Sequence, residues 1–161
     1  EKLNLNENRI TELQSYTFNQ TVNLRALNLS NNPIVLVNPF AFRGLDKLDK
    51  LIWNPINLIE IHNNSFSGLK SLKFLNLSHL NITNTKSGAF NGSYQFELDL
   101  THNNLRKLVE NTFNHTYQLR KLDLSFNAIN SIEVGAFDGL DYLQYLNLTR
   151  NKLTNFHCET T

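Results

Sequence analysis

Two histidines, His79 and His102, have the residue type and spacing from which chemistry could arise. Each follows a similar segment, LNLS before His79 and LDLT before His102. Imidazoles at equivalent positions could share a metal ion, but two histidines without a third ligand make a weak metal site. They could instead sense pH, because neighbouring imidazoles repel each other once both are charged, near about pH 6. They could also be two ordinary exposed side chains, and the sequence leaves these three interpretations open.

Two acidic residues, Asp99 and Asp123, also occupy equivalent positions and could lie side by side. Paired carboxylates can perform acid–base catalysis, but we interpret these two as solvated members of an acidic column. No histidine, cysteine and aspartate cluster has nucleophile spacing, and there is no glycine-rich phosphate loop. We therefore predict that the chain is not an enzyme and that it binds no cofactor or metal ion.

The element that positions these side chains is a repeat of 24 residues, seen most cleanly at 119–142. That unit has leucines at Leu119, Leu122 and Leu124, an asparagine at Asn127 and a phenylalanine at Phe137. One step is a residue shorter, and we place the deletion in the loop at 91–93. After a partial first unit, the units begin at Leu24, Leu48, Leu72, Gln95, Leu119 and Leu143.

Each unit contains the pattern L-x-x-L-x-L, whose last two leucines alternate with polar residues and so predict one short strand. Stacked units would form a parallel sheet over a shared core, because no unit can bury its apolar residues alone. The repeated asparagine should bond to main-chain groups of neighbouring turns. The repeated phenylalanine should form a buried spine at Phe18, Phe42, Phe66, Phe90, Phe113 and Phe137.

The pattern LxxLxLxxNxIxxIxxxxFxxLxx, with AFRG, AFNG and AFDG at 41–44, 89–92 and 136–139, resembles the typical 24-residue class of leucine-rich repeat. That class is common in extracellular animal proteins, including Toll-like receptor ectodomains and matrix or adhesion proteins. The resemblance implies an α/β-type solenoid, a horseshoe segment with a parallel concave sheet and an irregular convex side. Residues 1–157 would form the array of about seven units, the first and last incomplete. Residues 158–161 would be a tail or the start of a missing C-terminal cap.

The composition limits which disulfides the chain can form and which classes of partner it indicates. The chain has 161 residues, a net charge of +1 and one cysteine, Cys158, so no internal disulfide is available. The charge gives no direct sign of a nucleic-acid partner. Because the first unit is incomplete, we expect the chain to be a piece of a longer protein.

Eight N-x-S/T sequons favour the secretory pathway and N-linked glycans. Asn19, Asn91 and Asn114 each directly follow a spine phenylalanine and should form an outer column of glycosylation sites. Asn63 and Asn81 are further candidates. The other three sequons lie within the strand pattern itself and are weaker candidates: Asn28, Asn76 and Asn147.

Units three and four depart from the pattern. Ile56 and Leu80 replace the repeated asparagine, Trp53 replaces a core leucine, and Pro55 interrupts the turn. The departures are either tolerated decay of the repeat or a local irregularity that opens a ligand-sized recess near Trp53, Ile56 and Leu80.

Strand alternation also predicts which side chains face solvent on the concave side. Exposed apolar and aromatic side chains beside lysine and arginine are typical of interface centres. We name the following the inner-face residues and predict that they contact a ligand: Lys50, Ile52, Lys73, Phe74, His79, Asp99, His102, Lys121, Asp123, Phe126, Tyr145 and Arg150.

The resulting hypothesis is an extracellular or cell-surface recognition module of a Toll-like innate-immune receptor. Its partner would be a protein or a pathogen-derived ligand, and a homo- or heterodimer could form through the array. The alternative is a secreted or cell-surface adhesion or matrix protein that binds other proteins.

Overall fold

The computed structural model describes residues 1–55 and 58–154. These residues form a solenoid of stacked turns in which each repeat adds one inner strand. No helix in these ranges has the length and apolarity needed to cross a membrane. The strands are β1 (Lys2–Asn4), β2 (Glu12–Leu13), β3 (Ala26–Asn28), β4 (Leu36–Val37), β5 (Lys50–Ile52), β6 (Glu60–Ile61), β7 (Phe74–Asn76), β8 (Asn84–Thr85), β9 (Glu97–Asp99), β10 (Lys107–Leu108), β11 (Lys121–Asp123), β12 (Ser131–Ile132) and β13 (Tyr145–Asn147).

The inner strands pair in parallel, with equivalent residues of successive repeats opposite each other. Leu122 lies opposite Leu146 on one side and opposite Leu98 on the other. Leu75 also lies opposite Leu98, although these two residues are 23 positions apart. The shorter step is therefore absorbed before β9, where the buried Ser93 hydroxyl donates to the Phe90 carbonyl at 2.6 Å. This confirms the parallel solenoid. The shorter step lies after Gly92, whose carbonyl still accepts from the amide of Gly68, and before Leu98.

The outer side contains a second set of pairings that the sequence analysis did not predict. β2 pairs with β4, β6 with β8, and β10 with β12, each in parallel over two residues. Turns connect these short ladders to the inner strands. The convex side of the arc is thus built from turns and two-residue strands.

The core confirms the predicted phenylalanine spine. The rings from Phe18 to Phe137 stack in sequence with centroid separations of 5.5–6.2 Å and interplanar angles of 6–14°. The strand leucines pack beside this spine, and Leu27, Leu75, Leu98 and Leu122 are buried. Burying each such side chain stabilises the fold by roughly 1.5–3 kcal/mol relative to exposure.

The repeated asparagine forms the predicted ladder, best seen at the buried Asn103. Its Nδ2 donates to the Leu100 carbonyl of its own turn at 3.0 Å and to the Leu77 carbonyl of the preceding turn at 2.8 Å. Its Oδ1 accepts from the amides of Leu80 and Ile82 at 3.1 and 3.0 Å. One side chain thus satisfies four main-chain groups in two turns. Comparable bonds are made by Asn32, Asn127 and Asn151.

The inner strands are all parallel, as predicted, but the inner sheet is interrupted at one point. β1, β3 and β5 form one sheet, and β7, β9, β11 and β13 form another. At every other step the residue after a strand donates its main-chain amide to the next strand, as Leu29 does to Ile52 at 2.7 Å. At Trp53 the indole Nε1 donates to the Asn76 carbonyl instead, at 3.3 Å. The bulky side chain therefore holds β5 and β7 apart.

We predict that Asn103→Ala lowers the free energy of unfolding by about 3 kcal/mol, because buried main-chain groups in two turns lose their partner. Urea denaturation followed by circular dichroism would measure the change. Asn130→Ala is the matched control, since Asn130 is exposed, and should stay within about 0.5 kcal/mol of the parent. Equal effects of the two substitutions would contradict a supporting role for the ladder.

Candidate binding face

The first exposed column of the inner sheet mixes aromatic and charged side chains. Phe74 and Tyr145 are 50% and 48% exposed at the starts of β7 and β13. Between them, Lys121 places its Nζ 3.8 Å from a Glu97 carboxylate oxygen and 5.8 Å from the centroid of the Tyr145 ring. This column offers apolar area together with both signs of charge, as protein interfaces do.

The second exposed column contains Ile52, which is 42% exposed, and the two aspartates. Asp99 and Asp123 lie opposite each other in the β9–β11 pairing, so the structure brings this predicted pair together. Each Oδ1 accepts the main-chain amide two residues later, from Thr101 at 2.9 Å and from Ser125 at 3.0 Å. These carboxylates therefore hold the turn after each strand and present negative charge to a small recess of about 150 Å³.

The environment of Asp123 shifts its ionisation. Burial alone would raise the pKa of Asp123, but hydrogen bonds from the Ser125 hydroxyl and amide and from the Asn147 side chain outweigh it. Together with the charge of Lys121, they hold the pKa of this carboxyl below its usual value. Asp123 is therefore a stabilised carboxylate rather than a proton donor poised near neutral pH.

The predicted neighbours His79 and His102 do meet, as part of a larger stack. Their rings lie 4.4 Å apart with an interplanar angle of 9°, and Phe126 stacks on His102 at 4.3 Å. Arg150 occupies the next position of the same column, and all four residues have a left-handed φ of 55–58°. Phe126 joins the two histidines unexpectedly, although its position one repeat after His102 was the available signal.

The stacked arrangement of His79 and His102 disfavours a metal ion shared between them. The nitrogen lone pairs of two stacked imidazoles lie in two nearly parallel ring planes, so they do not converge on one ion between the rings. Among residues 1–55 and 58–154, no group of three or more His, Cys, Asp or Glu side chains could hold a metal ion. The exposed stack instead presents a flat aromatic ridge along the edge of the inner face.

A groove opens where the sheet is interrupted. It has a volume of about 430 Å³ beside Lys50, Leu51, Lys73 and Phe74, and continues into a second recess of about 260 Å³ beside Trp53. Leu80, expected near such a recess, is buried at 6% exposure and lines neither one. The opening thus lies at the strands, and Ile56 falls outside the described residues.

Most of the inner-face residues are solvent-accessible as expected. Ten of the twelve are exposed, and Asp99 and Asp123 are half-buried. The eight sequon asparagines differ in solvent exposure. Four are exposed, Asn19, Asn63, Asn76 and Asn81, and four are half-buried, Asn28, Asn91, Asn114 and Asn147. Cys158 lies outside the described residues.

Sequence reasoning missed an aromatic patch on the outer side. Tyr16 and Phe40 stack at 5.8 Å, and the Arg43 guanidinium lies 5.7 and 5.9 Å from the two ring centroids. Both rings sit on backbone with φ of 63° and 62°, a left-handed conformation unusual for bulky residues. The equivalent positions of later repeats are Asn64, Gly88, Asn111 and Gly135, so the exchange of small residues for aromatic ones was the available signal.

Comparison with known proteins confirms that the 24-residue unit is a leucine-rich repeat. The profile of the family described as "Leucine rich repeat" matches residues 1–52, 71–129 and 95–153. The human "Leucine-rich repeats and immunoglobulin-like domains protein 1" is 35% identical over 132 residues, which is 81% of this chain and 12% of that protein. The Danio rerio "Leucine-rich repeat and fibronectin type III domain-containing protein 1-like protein" is 41% identical over 155 residues, 94% of this chain and 22% of that protein.

A solved structure shares the arc. A chain from the crystal structure of a TLR13–ssRNA13 complex superposes with a TM-score of 0.64 at 29% identity, covering 97% of this chain and 26% of that one. The predicted arc and the resemblance to Toll-like receptor ectodomains are thereby confirmed. The chain spans only a minor part of the length of these related proteins.

We predict that Asp123→Asn destabilises the fold most at neutral pH. A carboxyl whose pKa is lowered by folding contributes stability above its unfolded value of about 3.9 and loses that contribution as pH falls through the folded value. The difference in unfolding free energy between parent and variant should therefore shrink from pH 7 towards roughly pH 2. Urea titrations across this range would measure it.

The exposed Asp141 provides the control for this titration series. Asp141→Asn should give a difference from the parent that changes less with pH. Asparagine fits the Asp123 position sterically, because Asn28 and Asn147 accept the same main-chain amide bond in other repeats. A pH-independent effect of Asp123→Asn would contradict the ionic contribution.

Proposed function

The chain belongs to the leucine-rich repeat family, and from this we propose that it is an extracellular binding module of a Toll-like innate-immune receptor. Its role is recognition through the inner face and not catalysis. The observation that carries the proposal is the exposed aromatic and charged surface of the inner sheet, which contributes nothing to the core. The shared arc with the Toll-like receptor chain and the abundance of sequons support it.

Two regions of the inner face supply the contacts. The column Phe74, Lys121 and Tyr145 offers apolar area and a cation, and the ridge of His79, His102 and Phe126 offers flat ring surfaces. Aromatic residues of this kind dominate binding energy when a partner excludes water from them. Asp99, Asp123 and Arg150 would then provide charge complementarity.

The proposed ligand is a protein or a pathogen-derived molecule with protein-like chemistry. The related structure contains single-stranded RNA, but the net charge of this chain is +1, and Asp99, Asp123 and Glu97 lie among its inner cations. Phosphate recognition would favour a predominantly basic surface. A second copy or a related chain could dimerise through the array, as proposed from the sequence.

A second candidate is an adhesion or matrix role, favoured by the similarity to the immunoglobulin-like and fibronectin type III relatives. Both candidates place the chain outside the cell and use the inner face. They differ in outcome, since receptor engagement starts an intracellular response whereas adhesion holds two surfaces together.

We predict that binding depends on inner-face aromatics. The chain, secreted and biotinylated, would be screened against extracellular proteins, microbial surface preparations and single-stranded RNA. For a ligand so found, Tyr145→Ala and Phe126→Ala should each weaken binding by about tenfold or more, the effect of a loss near 1.4 kcal/mol. Surface plasmon resonance would measure the dissociation constants.

The matched control for Tyr145 is Tyr142→Ala, because Tyr142 is 67% exposed only three positions earlier and lies outside β13. It should leave the affinity within about twofold. Equal losses of affinity in Tyr145→Ala and Tyr142→Ala would contradict the inner face as the ligand-binding surface. Preferential RNA binding that weakens steeply with salt would overturn the proposed ligand class.

We also predict glycan attachment when the chain passes through a secretory pathway. Glycopeptide mass spectrometry should find Asn19, Asn63 and Asn81 occupied, since their side chains are exposed. Occupancy at the half-buried Asn91 and Asn114 should be lower. Bare asparagines at all three outer positions, Asn19, Asn91 and Asn114, would count against extracellular location.

A further inference from the structure

The interruption of the inner sheet leaves two main-chain edges facing each other. Across the β3–β5 step, the amides of Asp49 and Lys50 donate to the Arg25 carbonyl at 2.9 and 3.0 Å. Across the β7–β9 step, the amides of Phe96 and Glu97 donate to the Lys73 carbonyl at the same two distances. Within the described part of the chain, no main-chain hydrogen bond joins β5 to β7. Unpaired strand edges of this kind are templates for pairing with another extended chain.

The opening reaches the core. Leu51, in the centre of β5, is only half-buried, whereas its equivalents Leu27 and Leu75 are each 1% exposed. Leu51, Leu72 and Phe74 form the apolar part of the groove lining. Its volume of about 430 Å³ falls in the range of ligand pockets, roughly 300–1,000 Å³. An apolar side chain entering here would contact core leucines.

The charge of the groove is set by two lysines. Lys50 and Lys73 both line it, and neither forms an ion pair with any residue in 1–55 or 58–154. The single carboxylate in the lining, Asp49, is engaged by Arg25, whose Nη1 lies 3.5 Å from an Asp49 oxygen. The lining thus combines two lysines that have no carboxylate partner among the described residues with apolar side chains, so the complementary ligand carries carboxylates beside apolar groups.

We propose that the groove binds an extended peptide segment in which apolar residues alternate with acidic ones. The segment would pair through its main chain with the β5 edge and with the part of the β7 edge that the Trp53 indole leaves unbonded, in the manner of strand addition. Its alternate side chains would point to opposite faces, the apolar ones towards Leu51 and Leu72 and the acidic ones towards Lys50 and Lys73. This rests on the proposed function, because it specifies where a protein ligand of the module engages.

Trp53 acts as the positioning residue of this site. Its ring lies edge-on against the Phe42 and Phe66 rings of the spine, at 5.9 Å from each. Its Nε1 donates to the Asn76 carbonyl, which in the other steps accepts a main-chain amide. Leucine occupies this position in the neighbouring repeats, at Leu29 and Leu77. Trp53→Leu should therefore let β5 and β7 pair and close the groove.

The test uses a labelled, end-capped heptapeptide of alternating valine and glutamate, with a valine–lysine peptide and laurate as competing probes. The valine–glutamate peptide should bind in fluorescence polarisation, and NMR should show shifts in the amides of Leu51, Lys73 and Phe74 and in the Trp53 indole. Lys50→Glu combined with Lys73→Glu should weaken it by about tenfold or more, since two ion pairs become repulsive. Trp53→Leu should abolish binding.

The control pair is Lys47→Glu with Lys152→Glu, which makes the same change of net charge at exposed positions outside the inner strands and the groove. It should leave peptide affinity within about twofold. Amide hydrogen exchange would report whether the Trp53→Leu variant folds and whether its β5 and β7 strands pair. If that variant does not fold, the Lys50→Glu and Lys73→Glu double variant still tests whether the peptide binds in the groove. Binding of laurate alone, shifts elsewhere, or equal losses in both lysine pairs would overturn the proposal.

The binding measurements distinguish a wrong groove assignment from a wrong proposed function. If the peptide does not bind but a protein ligand still depends on Tyr145 and Phe126, only the groove assignment is wrong. If no protein ligand depends on the inner face but the peptide binds as described, the receptor proposal is wrong and the groove remains.

Discussion

Each turn of this solenoid buries main-chain amides and carbonyls that its own residues cannot pair, and the structure depends on the neighbouring turn to satisfy them. The ladder asparagines meet this requirement, as Asn103 does by joining Leu77 and Leu100 carbonyls to Leu80 and Ile82 amides. An unpaired buried polar group costs about 1–3 kcal/mol. Repeats must therefore stack in one register, and this fixes which side chain of each strand faces the core.

The same constraint organises the exposed surface into columns. Once Leu98 and Leu122 are opposite each other, Asp99 must meet Asp123 and Glu97 must meet Lys121. The turn that follows every inner strand except β5 takes a left-handed residue, which aligns His79, His102 and Phe126 closely enough to stack. Candidate functional groups thus lie together because of repeat position, and their identities can vary without disturbing the core.

Much of this could be predicted from the sequence, because repeat position determines placement. The strand leucines, the phenylalanine spine, the asparagine bonds and the meeting of His79 with His102 follow from spacing alone. The gap between β5 and β7 could not be predicted in the same way. Trp53 marks an irregularity, but whether its ring packs inward beneath a paired sheet or separates the strands depends on three-dimensional packing with Phe42 and Phe66.

Other features required geometry that a repeat pattern does not contain. The two-residue outer strands have no alternation long enough to detect. The Tyr16–Phe40–Arg43 patch places bulky rings on left-handed backbone, where local preference favours asparagine or glycine. Stacking of the rings with each other and with the guanidinium offsets part of the backbone strain. The patch therefore depends on contacts between turns that the sequence of one repeat does not show.

The interruption persists because the outer wall remains intact where the inner sheet opens. Phe66 still stacks between Phe42 and Phe90 at 5.9 and 5.8 Å, and β6 still pairs with β8. Each main-chain hydrogen bond lost from the inner sheet costs about 1 kcal/mol net. Two edge-on aromatic contacts of Trp53, at about 0.5–1.5 kcal/mol each, and its indole bond offset part of the loss of these bonds. A stacked array can therefore open on its inner face while its outer wall stays paired, because the two faces are held by separate sets of contacts.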